Sequence, residues 1–114
     1  QGYPVKPFVQ VGLKAGEKFF GPGACELLEL IGQTGSVQEA CSRMNLSYSK
    51  GSRILKNIER QMGEAAVQKW AGGIGGGGSE LTEKGKWLIA NYRKMEAQVE
   101  RAAVEAFDRY FEEG

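Results

Sequence analysis

The sequence has no histidine, two cysteines and three prolines among its 114 residues. Without imidazole it lacks the usual neutral-pH general base and proton shuttle, and the commonest metal ligand. Two thiols do not complete a four-ligand zinc site, so no metal or cofactor is expected. No apolar run approaches the ~20 residues that cross a bilayer, and no signal-peptide pattern follows Gln1-Gly2. A membrane partner is therefore not expected, and the protein is placed in the cytoplasm. Strong charge of one sign is also missing. Fifteen Lys and Arg against fourteen Asp and Glu leave a net +1, which predicts weak non-specific adhesion to polyanions. Cys25 and Cys41 lie among apolar neighbours in predicted helices, the setting of reduced core thiols, and nothing in the pattern supports a disulfide between them. No grouping of carboxylates or nucleophiles suggests catalysis, so no catalytic residue is assigned.

What the chain does have is helical periodicity, a glycine-rich tract and locally concentrated charge. Its length suits one domain, residues 1–114, with globular composition. The organising stretch is Ser36 to Gly63. Val37, Ala40, Cys41 and Met44 recur at intervals of three and four, which puts them on one side of a short helix. Ala40 and Cys41 are small and allow a second helix to pack close. Asn45 tolerates the left-handed backbone of a tight turn. A longer helix then starts at Ser47, whose hydroxyl can cap its free amides. Leu46, Leu55 and Ile58 give that helix an inner side, while Tyr48, Lys50, Arg53, Lys56, Asn57 and Arg60 fall outside. Five cations against two anions make this stretch +3 in a chain of net +1. The order of features predicts a helix-turn-helix over 36–62, whose second helix offers polar and cationic groups to a DNA groove. An ordinary helical hairpin with a solvated basic face is the alternative.

Upstream, Val5, Pro7, Val9, Val11 and Leu13 alternate with Lys6, Phe8, Gln10 and Gly12 as in an edge strand, and a turn at Lys14 to Glu17 leads back through Lys18, Phe19 and Phe20. This predicts a β-hairpin over 1–20. Pro22 opens a helix carrying Ala24, Leu27, Leu28 and Ile31 inward, with Glu26 and Glu29 on a solvated face. Gly35 should stop it and Ser36 cap the next, giving a three-helix core over 22–63. Downstream, residues 66–81 read as a wing: a short strand with Val67 and Trp70, a glycine run, and Glu80-Leu81 as return strand. Gly73, Gly75 and Gly78 satisfy the G-x-G-x-x-G spacing, but a glycine run does so by chance, and neither a βαβ setting nor a closing lysine accompanies it. A flexible linker is the other reading of this tract. A wing could set the bare backbone of Gly75, Gly76 and Gly77 against phosphates. Thr82 caps a last helix over 82–113. Its stripe of Leu88, Tyr92, Met95, Val99, Ala102, Ala106 and Tyr110 can cover the core with its first part and overhang it with the rest, which predicts a homodimer interface, with a helix folded back on its own domain as the alternative. A two-fold pair would set two recognition helices roughly 34 Å apart.

Ser36 to Glu59, including Ala40-Cys41, Asn45, Ser47, Ser49, Ser52-Arg53 and Ile58-Glu59, resembles the winged helix-turn-helix of the LysR-type regulators. Phe20-Gly21-Pro22-Gly23, Ser47-Tyr48, the run Gly72-Gly73-Ile74-Gly75-Gly76-Gly77-Gly78 and Leu81-Thr82 with Gly85 are similar, more specifically, to the DNA-binding domain of the ModE family of molybdate-responsive regulators. Gly51 and Ser52 stand where that pattern usually has a bulkier pair including tryptophan. The resemblance implies a dimeric, prokaryotic transcription regulator with a wing and a dimerising helix. In that family a separate C-terminal domain senses molybdate. The present sequence stops after the long helix, so molybdate binding is not carried over, while control of molybdenum-related genes is.

The expected fold is thus α+β, mainly α: a winged helix-turn-helix with an N-terminal β-hairpin and a long C-terminal dimerisation helix. The expected partner is double-stranded DNA with a palindromic site. Tyr48, Ser49, Lys50 and Arg53 are placed for base edges, Ser47, Ser52, Lys56 and Arg60 for phosphates, and Ser36 at the first helix's cap joins them. Arg53 is the candidate for guanine, since its planar fork can meet two acceptors. A winged-helix protein-interaction module that dimerises without reading DNA is the alternative.

Overall fold

The computed structural model describes residues 2, 4–73 and 76–111. A short hairpin, β1 (Leu13–Ala15) and β2 (Glu17–Phe20), is followed by α1 (Pro22–Thr34), α2 (Val37–Arg43) and α3 (Tyr48–Met62). A second hairpin, β3 (Val67–Gly73) and β4 (Gly76–Leu81), leads into α4 (Glu83–Phe111). Each sheet is one antiparallel pair. Among the described residues, four helices and two ribbons make the molecule mainly α, as the periodicities indicate.

Local chemistry sets the helix boundaries. Pro22 occupies the first turn of α1, where its missing donor costs nothing, and Gly35 closes that helix at φ 71° with its amide on the Ile31 carbonyl. Ser36 caps α2, its hydroxyl accepting from the Glu39 amide at 3.0 Å. Asn45 is the one non-glycine among the described residues at positive φ, 57°, and turns the chain between α2 and α3. Ser47 Oγ accepts from the Lys50 amide at 3.0 Å, and Thr82 Oγ1 accepts from the Gly85 amide at 3.1 Å. Each capped amide would otherwise lack a partner at a helix start.

Packing joins these pieces through two neighbouring clusters. Leu27 and Ile31 of α1 meet Val37, Ala40 and Cys41 of α2. Phe20, Cys25, Leu28, Ile58, Ala66, Leu88 and Tyr92 form the other cluster, which ties both hairpins and all the longer helices together. Gly51 lies where α2 and α3 cross. A Cβ there would stand 2.2 Å from Cys41 Sγ, so the small residues of α2 and this glycine together permit the close approach. Gly51 therefore serves the helix crossing and is buried, away from any groove-facing position. Cys25 and Cys41 are buried free thiols, and burial pushes the Cys25 thiol up to about 11.

Three expectations are corrected. The N-terminal strand is shorter than the alternation from Val5 to Leu13 suggests: pairing begins at Leu13, and Val5 and Phe8 are exposed. Pro7, Val9 and Val11 do lie half-buried, so the alternation marks an inner side. With no partner strand beside residues 4–12 among the described residues, that side is not part of a ladder. The second correction concerns α4. Leu88 and Tyr92, expected at a dimer interface, are each 2% exposed and belong to the domain's own core. Tyr92 packs edge-on to Phe20 at 5.2 Å and donates its hydroxyl to the Val11 carbonyl at 2.8 Å. Met95 also packs against this core.

Glu29, read as solvated, instead joins α1 to α4: Arg93 Nη2 and Nε donate to its two carboxylate oxygens at 2.8 and 3.1 Å, and Arg93 Nη1 donates to Glu96 at 2.7 Å. The Arg93 guanidinium holds the Glu29 carboxyl below its ordinary range. Beyond residue 95 α4 leaves the core, which accounts for the 67 Å length of a molecule only 33 by 21 Å in its other dimensions. No helix among the described residues is long and apolar enough to cross a membrane.

Candidate nucleic-acid interface

At 100° per residue, Ile54, Gly51, Ile58, Met62 and Leu55 of α3 span the arc that faces the core. The opposite arc carries Ser49, Arg53, Lys56 and Arg60, stacked along about three turns and all exposed. Lys50 and Asn57 flank it on one side, Tyr48, Ser52 and Glu59 on the other. None of Lys50, Arg53, Lys56 and Arg60 enters an ion pair among the described residues. Arg60 donates instead to the Asn57 side chain. The result is an open hollow of about 400 Å³ lined by Lys50, Arg53, Ile54, Lys56, Asn57 and Arg60. Guanidinium and ammonium groups in water-exposed positions, with Glu59 as the one carboxylate of α3 beside them, suit a polyanion better than a small buried ligand.

The β3–β4 ribbon borders the Tyr48 side. Val67 pairs with Leu81 and anchors the ribbon to the core, while Trp70 pairs with Gly78 further out. Lys69 reaches across to α3, donating to the Tyr48 hydroxyl at 2.5 Å with its ammonium 5.1 Å from the ring centre. This contact ties the ribbon to the start of α3. Ser52 is half-buried and lines a small cleft with Lys56, Glu59 and Lys69.

The expected site residues therefore fall into groups. Tyr48, Ser49, Lys50, Arg53, Lys56 and Arg60 share the exposed side of α3. The hydroxyls of Ser36 and Ser47 already accept helix-capping hydrogen bonds. Gly76 and Gly77 lie exposed on β4, and Gly75 falls outside the described residues. Sequence reasoning did not place Lys69 and Trp70 beside this face of α3. Their signal was available in the chain: a cation and a large aromatic immediately before a glycine run, on a strand whose inner residue is Val67.

At the other end of the molecule, Val104, Tyr110 and Phe111 of α4 are exposed, and Phe107 stacks on Phe111 with centroids 5.0 Å apart. Val99, Ala102 and Ala106 continue the expected stripe, but the largest apolar side chains lie beside it: Val104, Phe107 and Phe111 are rotated by roughly 100–160° from Leu88 around the helix.

No family model matches the chain. It is 34% identical over 76 residues to the molybdenum transport protein ModE of Azotobacter vinelandii, covering 67% of this chain and 28% of that protein. Over 92 residues it is 30% identical to the DNA-binding transcriptional dual regulator ModE of Escherichia coli K12, covering 80% and 35%. Over 73 residues it is 37% identical to the molybdenum-pterin-binding protein MopB of Rhodobacter capsulatus, covering 64% and 27%. The chain thus spans about a third or less of the length of these relatives. Among solved structures, the CbnR DNA-binding domain in complex with DNA superposes with a TM-score of 0.56 at 17% identity, covering 74% of this chain and 91% of that one. Full-length CbnR with its target DNA gives 0.57 at 16% identity, covering 75% and 28%. At such identities the likeness is one of fold, that of a winged helix-turn-helix domain.

Proposed function

We propose, for a chain whose sequence and fold make it a ModE-type winged helix-turn-helix domain, that it regulates transcription by sequence-specific binding of double-stranded DNA. The observation that carries this reading is the arc of Ser49, Arg53, Lys56 and Arg60, exposed, unpaired with any described carboxylate and bordered by the ribbon that Lys69 fastens to Tyr48. In this reading the first turns of α3 enter the major groove. Tyr48, Ser49, Lys50 and Arg53 face base edges, and Lys56, Arg60 and the ribbon face the sugar-phosphate backbone. Ser36 and Ser47 act mainly as caps, which position the amides of their helices toward phosphates.

The distal half of α4 would pair with a second copy through Val99, Ala102, Ala106 and Tyr110, widened by Val104, Phe107 and Phe111. Such a two-fold pair fits a palindromic operator. The cytoplasm, a non-enzymatic role and control of molybdenum-related genes complete the proposal, on the strength of the relatives' names.

Selection of duplexes from a random library by the purified chain tests it, followed by titration of Arg53→Ala against the selected operator. The expected result is an enriched palindrome and a loss of about 1–3 kcal/mol with relaxed preference at one base position. Failure to enrich any duplex, from a chain that light scattering shows to be dimeric, would turn the assignment toward a protein-interaction module.

A further inference from the structure

The ribbon carries one large side chain among its described residues from Trp70 to Gly78, and that side chain is an indole. Trp70 is 50% exposed, far more than an aromatic recruited to a core. Its six-membered ring occupies the space above its cross-strand partner: a Cβ on Gly78 would lie 2.3 Å from Trp70 Cζ2 and 2.8 Å from Cη2. The missing side chain of Gly78 thus lets the ring lie flat on the ribbon, held from below while much of it remains uncovered. Trp70 also borders, with Lys69, Tyr48, Gln38 and Gly77, an open cleft of about 240 Å³ between the ribbon and the start of the recognition helix. A fixed aromatic, a cation and a phenol therefore meet on the concave side that the proposed duplex would occupy. The neighbouring Gly77 adds no side chain to keep backbone at a distance.

We infer that Trp70 is a DNA-contacting residue, packing its indole against the sugars and base edges of the minor groove next to the major-groove site of α3. This inference rests on the duplex-binding reading and adds a residue and a mode of contact to it. A helix in the major groove leaves an adjoining ribbon at the flanking backbone and the minor groove beyond it. Apolar side chains are the groups that partly unstack steps there, and the indole N–H can donate to the groove's acceptors. The glycines around Trp70 supply close approach but no such contact. Covering Gly78 to stabilise the hairpin is the purely structural role for the same ring, and the test must separate the two.

The experiment uses the full chain and a 30-base-pair duplex selected from a random library. In a Trp87→Phe variant Trp70 is the only tryptophan, and Trp87 stacks under Lys84 on α4, outside the proposed interface. Adding duplex should quench or shift the remaining emission, saturating with the affinity measured by anisotropy. Trp70→Ala should weaken binding between about 5-fold and 100-fold while leaving the salt dependence unchanged, because no charge is removed. Trp70→Phe should recover a substantial part of that loss. Unaltered emission at saturating duplex overturns the inference, as does wild-type affinity in a folded Trp70→Ala chain. Loss of binding together with loss of the folded circular-dichroism spectrum in the alanine variant leaves the emission titration to decide. If the unmodified chain selects no duplex, the duplex-binding reading fails first and this inference with it.

Discussion

Replacing Gly51 by alanine tests the helix crossing on which the exposed face of α3 depends. The added methyl would begin 2.2 Å from Cys41 Sγ, with Cys41 Cβ at 3.9 Å and Leu27 Cδ2 at 4.0 Å. An ordinary carbon–sulfur contact requires roughly 1.5 Å more room. Cys41 is buried among Leu27, Ile31, Val37 and Ala40, so its sulfur has little free space to move into. Two effects of opposite sign then compete. Overpacking of a close-packed core costs about 1–3 kcal/mol, whereas alanine in place of glycine within a helix contributes about 1 kcal/mol. The net change should be a destabilisation of about 0–2 kcal/mol, too broad to decide the matter alone. The decisive quantity is the coupling. Cys41→Ala removes the clashing sulfur, so in a double-mutant cycle followed by urea unfolding the Gly51→Ala cost should vanish in the Cys41→Ala background and leave only the propensity gain. An interaction energy of about 1–3 kcal/mol in favour of the double variant is expected. Strict additivity, or a Gly51→Ala chain stabilised by the full propensity difference, would refute the close crossing.

Other perturbations read different parts of the fold. The Glu29 carboxyl titrates below its ordinary value because Arg93 bonds it, so its stabilising contribution is present above the unfolded value near 4.5 and is lost as pH falls through the lower folded value. Glu29→Gln should therefore flatten the acid limb of a stability–pH curve, while leaving the neutral limb parallel to that of the parent. The Cys25 thiol behaves in the opposite sense: raised from 9.0 to about 11, it keeps its proton in the folded chain, so stability should decline between those values as the unfolded thiol ionises. At neutral pH both cysteines should react with a thiol reagent only at the rate of unfolding, and rapid labelling of either would contradict the packing. Ser47→Ala removes the acceptor for the Lys50 amide and should cost about 1 kcal/mol in thermal or urea unfolding. Phe107→Ala together with Phe111→Ala should leave that unfolding midpoint little changed at low concentration, yet shift sedimentation from dimer to monomer.

The parts of this architecture legible in the sequence are those whose cause lies within a few residues. Gly35, Ser36, Asn45, Ser47 and Thr82 act on their own or adjacent backbone groups, so residue type and position suffice to place them. Helical spacing likewise marked Leu27, Leu28, Ile31, Val37, Ala40, Cys41 and Ile58 as inner residues. What escaped depends on elements that meet only in three dimensions. Gly51 is unremarkable until α2 is laid across it, and Glu29 is a solvated residue until α4 brings Arg93 alongside, 64 positions later. The strand expected from Val5 onward shows the converse. Alternation reports that one side of a segment is covered, but a strand also needs a neighbour to bond, and only from Leu13 does β2 provide one. On α4 the heptad-like stripe was continuous, yet Leu88 and Tyr92 turn inward because Phe20 and Val11 lie beneath them. On α3 the spacing placed the cations on the outer side, where the structure has them exposed, whereas Lys69 and Trp70 come beside that side only through the ribbon's contact with Tyr48.

The central claim is that the cations along α3 meet the phosphates and base edges of a duplex, and the salt dependence of binding probes it most directly. Anisotropy titrations of a selected duplex across a range of salt should give log affinity falling linearly with log salt, at about 0.9 per phosphate contact. Lys56→Gln with Arg60→Gln should flatten that slope by about two contacts per protomer. A slope indifferent to salt, or one that the double variant leaves untouched, would contradict the account.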